Sequence, residues 1–133
     1  MAGQRCLLVA DDDPTILAML QEALTSPSWK IETASDALQA LMKARDLRPF
    51  LIVTDVQMPQ FGKGTDMLRA LRMEKATART PVIVLTGMNL ELVKPMLPPN
   101  ETRVRLFNKP PNYDLLLAAI REMGGVDGGA AAG

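Results

Sequence analysis

The 133-residue chain carries fifteen Lys plus Arg against fifteen Asp plus Glu, one cysteine and no histidine. Without histidine it cannot assemble a Ser-His-Asp or Cys-His catalytic set, a His-containing zinc site or a phosphohistidine of its own. Zero net charge lacks the basic excess by which nucleic-acid binders neutralise phosphates, so no direct nucleic-acid contact is expected. The length suits a single core, and Cys6, which has no internal partner for a disulfide, reads as a buried strand residue in a reducing, cytoplasmic compartment.

Strands are expected at 5–10, 29–34, 50–55, 81–86 and 103–108. The first apolar run is cut off by Asp11, Asp12 and Asp13, so it is neither a signal peptide nor a membrane span, and no membrane insertion is expected. Ile16, Leu17, Leu20 and Leu24 then fall at helical spacing, with Pro14 suited to the first turn. After the second strand, Ser35 stands where an N-cap is wanted, and Leu38, Leu41 and Met42 mark the apolar face of a second helix. Leu51-Ile52-Val53 is apolar on both alternating positions, as a strand covered on both faces must be.

Met67, Leu68 and Leu71 give a third helix, and Val82-Ile83-Val84-Leu85 another two-sided strand. Pro95, Pro98 and Pro99 make the fourth helix short, ending near Lys94, or irregular, since proline costs about 3 kcal/mol inside a helix. A last helix follows from Tyr113, Leu116, Leu117 and Ile120, capped by Asn112. The fold class is therefore α/β, a five-stranded parallel sheet flanked by helices on both faces in a doubly wound order. Residues 1–123 form one domain. Five of the nine glycines fall in 124–133, which reads as a flexible Gly/Ala-rich tail or the start of a linker.

In such folds ligands sit beyond the carboxyl ends of the strands. Those ends are polar here: Asp11-Asp12-Asp13, Thr54-Asp55, Thr86-Gly87 and Asn108-Lys109-Pro110. Carboxylates within about 4 Å of one another repel by roughly 4 kcal/mol per pair at an effective dielectric near 20, so the cluster asks for a cation. Oxygen donors suit a hard ion, Mg2+, better than zinc or copper. A helix N-terminus alone also favours acids, which accounts for Asp13 but leaves the others open. Asp55, beside a metal, can attack phosphorus and form an acyl phosphate. Thr86 can donate its hydroxyl to a phosphoryl oxygen, and Lys109 can supply positive charge. Its position ahead of Pro110 would fix its reach, through a cis bond if one forms. The same repulsion argument predicts that Asp55→Asn stabilises the metal-free protein.

These residues together resemble the receiver domain of two-component response regulators, from about Arg5 to Met123. The resemblance implies that Asp55 is the phosphoacceptor, taking its phosphoryl group from a sensor histidine kinase or a histidine phosphotransfer protein. It implies that Asp11, Asp12, Asp55 and the backbone carbonyl of Gln57 hold Mg2+, that Thr86 and Lys109 bind phosphoryl oxygens, and that the signal passes to a downstream protein target or output domain. Three positions depart from the family pattern. Leu106 stands where an aromatic is usual, with Phe107 expected on the opposite face as core. The fourth-helix region carries prolines, and a glycine falls one residue late in 60–64. These departures keep open a phosphorylation-independent interaction module.

A phosphatase using an Asp nucleophile wants an acid two residues on, where Gln57 stands. A dinucleotide site wants glycines where three aspartates stand. The chain is thus not expected to be an enzyme, beyond slow autophosphorylation and autodephosphorylation, the latter slow because Gln57 and Met88 cannot activate water.

Overall fold

The computed structural model describes residues 5–58 and 66–126. The elements run β1 (Arg5–Ala10), α1 (Pro14–Ala23), β2 (Trp29–Ala34), α2 (Ala37–Leu47), β3 (Leu51–Thr54), α3 (Asp66–Met73), β4 (Val82–Thr86), α4 (Leu90–Val93), a 3-10 turn (Lys94–Met96), β5 (Val104–Asn108) and α5 (Tyr113–Gly124). The strands form one sheet in the order β2-β1-β3-β4-β5, and every neighbouring pair is parallel. Each expected strand is present, with ends moved by at most one residue. The late glycine of 60–64 and the tail from 127 lie outside the described residues. The tail's first three residues belong to the folded body: Gly124 ends α5, Gly125 caps it at φ 67°, and Val126 packs on the core.

Alternation along the strands divides the core in two. Leu8, Ala10, Ile52, Val82 and Val84 face the buried residues of α2 and α3, while Leu7, Val9, Leu51, Val53, Ile83 and Leu85 face those of α1 and α5. On β5, Leu106 packs half-buried on the first side and Phe107 half-buried on the second, as their alternation requires. The fourth helix is one turn of α-helix running into the 3-10 turn, with Pro95 inside the latter. Among the described residues no helix is long and apolar enough to cross a membrane.

Two expectations about α2 need correction. Its buried face is Ala37, Ala40 and Ala44, while Leu41 is half-buried and Leu38 and Met42 are 49% and 48% exposed. Methyl side chains let the helix lie close on the sheet, and that closeness outweighs the larger apolar area of the leucine and methionine. The N-cap is Asp36, whose carboxylate accepts from the Gln39 amide at 2.8 Å; Ser35 instead donates its own amide to the Gln39 side chain at 2.7 Å. The two polar residues share the helix start in a reciprocal arrangement shifted by one position.

At the opposite end of the sheet from the strand C-termini, Phe50 lies against Trp29 with ring centroids 5.6 Å apart, and the Arg5 guanidinium covers its ring. A Cβ added to Gly124 would run into the Phe50 ring. Gly124→Ala should therefore destabilise by about 1–3 kcal/mol, the cost of overpacking, despite alanine's better helix propensity. Urea unfolding checks this; an unchanged or raised midpoint would show that the ring gives way freely.

Candidate functional site

The chain order reverses its winding between β1 and β3, which opens a crevice above their carboxyl ends. Three residues enter it with backbones held one step beyond the sheet ladder. The Asp11 amide donates to Ala34 O at 3.1 Å, Asp55 to Ala10 O at 3.2 Å, and Lys109 to Thr86 O at 2.9 Å. The ladder thus aims these side chains before any side-chain contact is made.

The two carboxylates are used alike. Oδ1 of Asp11 accepts from the Asp13 amide at 2.9 Å and Oδ1 of Asp55 from the Gln57 amide at 3.0 Å, each a local turn in which the acid binds its own chain two residues on. Oδ2 of each lies 2.6 Å from Lys109 Nζ. Asp11 is 1% exposed and Asp55 5%. Burial by itself would lower the Lys109 pKa; the hydrogen bonds to Asp11 and Asp55, with their charges, outweigh it and hold the ammonium above its ordinary value. A raised lysine pKa contributes stability below the ordinary value, and that contribution fades as pH rises through the folded one.

Asp13 is the N-cap of α1, accepting from Thr15 at 2.9 Å, so the helix-terminus explanation does hold for that acid. Asp12 is exposed, and no group of three metal-ligating side chains forms among the described residues. Thr86 is fully buried at the end of β4, its hydroxyl accepting from the Met88 amide at 3.2 Å. The Lys109-Pro110 bond is cis. A contact with no sequence signal is that of Asn108, whose side-chain amide donates to Thr86 O at 3.1 Å and Met88 O at 2.7 Å. A polar residue closing a strand shows nothing of where its side chain turns.

The donor set fits a hard divalent ion in kind. It offers only oxygen, each carboxylate oxygen retains accepting capacity after its present bond, and Asp11, Asp12 and Asp55 together outnumber the single ammonium. Such a crevice attracts cations and, once neutralised, can accept an electrophile at Asp55.

A family model described as the response regulator receiver domain matches residues 7–121. The probable transcriptional regulatory protein TcrX of Mycobacterium tuberculosis is 40% identical over 81 residues, 61% of this chain and 33% of that protein. The alkaline phosphatase synthesis transcriptional regulatory protein PhoP of Bacillus subtilis is 36% identical over 88 residues, 66% of this chain and 35% of that protein. The chain thus spans about a third of the length of these curated relatives. Among solved structures, the chemotaxis response regulator CheY4 of Vibrio cholerae matches with a TM-score of 0.78 at 28% identity, over 91% of this chain and 99% of that one. The receiver domain of sensor histidine kinase PA1611 from Pseudomonas aeruginosa, which holds magnesium in its active site cleft, matches with a TM-score of 0.79 over 92% and 99%. At 21% identity it bears on the fold alone.

Proposed function

The chain belongs to the response regulator receiver domain family of two-component systems, and from that membership we propose that Asp55 is its phosphoacceptor. The observation that carries the reading is the Asp11-Lys109-Asp55 arrangement, in which the buried carboxyl group at the end of β3 lies 2.6 Å from an ammonium shared with Asp11. A carboxylate oxygen of Asp55 would attack phosphorus, the bond from phosphorus to the donor's nitrogen would break, and the imidazole released would take up a proton. The product is an acyl phosphate. Because these residues include no histidine, the donor phosphohistidine lies outside them, on a sensor kinase or a phosphotransfer protein.

Asp11, Asp12, Asp55 and the backbone carbonyl of Gln57 would hold Mg2+, which would supply the positive charge that lets a phosphoryl group approach these acids. Lys109 moves its hydrogen bond from Asp55 to a phosphoryl oxygen, and Thr86 turns its hydroxyl to another. The output is a change of surface read by a protein target or an attached domain. Transcriptional regulation belongs to the names of the longer relatives TcrX and PhoP, of which this chain spans about a third; balanced charge gives these residues no phosphate-neutralising excess.

Incubation with Mg2+ and phosphoramidate, followed by intact mass measurement, tests the proposal. Wild type should gain one phosphoryl group and Asp55→Asn none. Absence of any gain would leave the interaction-module reading, which the half-buried Leu106 and one-turn α4 favour. The phosphoryl group should persist, since neither Gln57 nor Met88 is an acid or base; a half-life of seconds would contradict this.

A further inference from the structure

We propose that the groove between the turn before β4 and the loop before β5 binds an acidic, extended segment of another protein, with Arg79 and Arg103 as its two anion-binding residues. The groove lies at the opposite end of the sheet from Asp11 and Asp55 and takes no part in the chemistry proposed for them.

The zero net charge hides a separation of sign. Between residues 66 and 105 seven Lys and Arg stand against four Asp and Glu, a surplus that the rest of the chain cancels. Four of these cations are paired: Arg69 with Asp66, Arg72 with Glu101, Lys94 with Glu91 and Arg105 with Glu122. Of the other three, Arg79 and Arg103 line a single groove of about 430 Å3, whose walls include Arg72, Pro98, Pro99 and Glu101. Both are exposed, and neither side chain meets an acceptor among the described residues.

One mostly buried ion pair holds both cation-bearing backbones in place. Arg72 Nη1 donates to Thr77 O at 3.1 Å and to Thr80 O at 2.8 Å, which fixes the turn that carries Arg79. Glu101 Oε2 accepts from the Arg103 amide at 2.9 Å. Arg72 and Glu101 are themselves joined by bonds of 2.9 and 3.3 Å, so both backbones are fastened to one fork. Each Glu101 oxygen is thereby engaged with Arg72, and the acid leaves the two outer guanidiniums unneutralised. Pro98 O accepts from the Glu101 amide at 3.3 Å across a turn centred on Pro99 and Asn100, the latter at φ 62°. The groove is shaped before a ligand arrives, so binding orders little backbone.

Two guanidiniums suit carboxylates or phosphates. The floor of the groove decides between them. The Glu101 carboxylate and the carbonyl end of α3, where Arg72 sits, oppose a compact dianion between the two arginines. Single carboxylates on alternate residues of an extended segment can instead meet the rim one at a time. The rings of Pro98 and Pro99 offer apolar surface to the stems of such side chains. A nucleic acid, charged at every residue, asks for a cation surplus that the whole chain lacks.

The test titrates an acetylated, amidated hexapeptide of alternating glutamate and serine into the whole chain, with the arginine Nε–Hε resonances followed by NMR. Those of Arg79 and Arg103 should shift together and saturate. Affinity should fall about twofold to fivefold in Arg79→Gln or Arg103→Gln and about tenfold in the double variant, the scale of exposed ion pairs. Because both side chains are exposed and unpaired, the variants should melt as wild type does. A peptide with glutamine in place of glutamate should not bind. Absence of saturable shifts, or unchanged affinity in the double variant, overturns the proposal. So does saturation by inorganic phosphate at equal or lower concentration, which would mark a general anion site. Dimerisation of wild type that the double variant abolishes would assign the groove to a second copy and overturn it as well.

Discussion

Lys109→Met should destabilise the metal-free protein by about 3–5 kcal/mol, the range for stripping one partner from a buried ion pair. The methionine keeps the length of the side chain and removes its charge. Asp11 and Asp55 would then face each other with no counterion, their Oδ2 atoms no farther apart than twice the present 2.6 Å. At that separation and an effective dielectric near 20 the repulsion is about 3 kcal/mol. A divalent cation offers an escape. Mg2+ at a hundred times its dissociation constant should restore about 2.7 kcal/mol, and the variant should gain more from it than wild type. Urea unfolding in chelator and in Mg2+ measures both effects. A loss below about 1 kcal/mol, the scale of an exposed pair, would show that the three groups do not act as a buried charge cluster. The same geometry revises the expectation for Asp55→Asn. With an ammonium already between the acids, losing one carboxylate forfeits an attraction across 2.6 Å along with a repulsion across up to twice that distance, so the substitution should no longer stabilise the metal-free protein.

Arg72→Ala should cost a similar amount by a different route. Arg72 and Glu101 side chains are 16% and 7% exposed and meet at 2.9 and 3.3 Å through both nitrogens of a forked pair, while Arg72 Nη1 also donates to Thr77 O and Thr80 O. One guanidinium therefore joins the end of α3, the turn before β4 and the proline-bearing loop before β5. Removing it strands a buried carboxylate and two carbonyls, about 3–5 kcal/mol, and lysine, lacking the fork, should restore little. The pH dependence identifies the cause. Burial pushes the Glu101 carboxyl up, but the hydrogen bond from Arg72 and that from the Arg103 amide prevail and hold it below its ordinary value. A depressed carboxyl contributes stability above the ordinary value, lost as pH falls through the folded one. The gap between wild type and Arg72→Ala, read from urea midpoints, should thus narrow as pH drops below about 4.3, the ordinary glutamate value. A gap constant down to pH 3 would assign the loss to packing instead.

Much of this architecture is legible in the sequence, for a physical reason. β3 and β4 are apolar on both faces, and only a strand sandwiched between helices needs that pattern. The acids and the lysine were legible because strand ends in a parallel sheet converge at one crevice, so Asp11, Asp55 and Lys109 meet although 44 and 54 residues separate them in turn. The α2 face was misread because hydrophobicity weights Leu38 and Met42 above alanines, while close packing on a sheet rewards Ala37, Ala40 and Ala44. Arg72 and Glu101 gave no warning, since 29 residues and an irregular loop lie between them. Nor did Asn108, because a strand's last polar residue has no periodicity to betray its partners.

β5 lies at the edge of the sheet, paired among the described residues only with β4, and is half-exposed along its length, whereas β3 and β4 are buried throughout. Lys109 is carried on this border strand, while the acids it neutralises hang from the two strands beside the winding reversal. Edges breathe more often than centres. An excursion of β5 would carry the ammonium away from Asp11 and Asp55, so the positive charge of the crevice is tethered to the least covered strand of the sheet. A cation arriving during such an excursion would meet the two acids without having to evict a stationary charge.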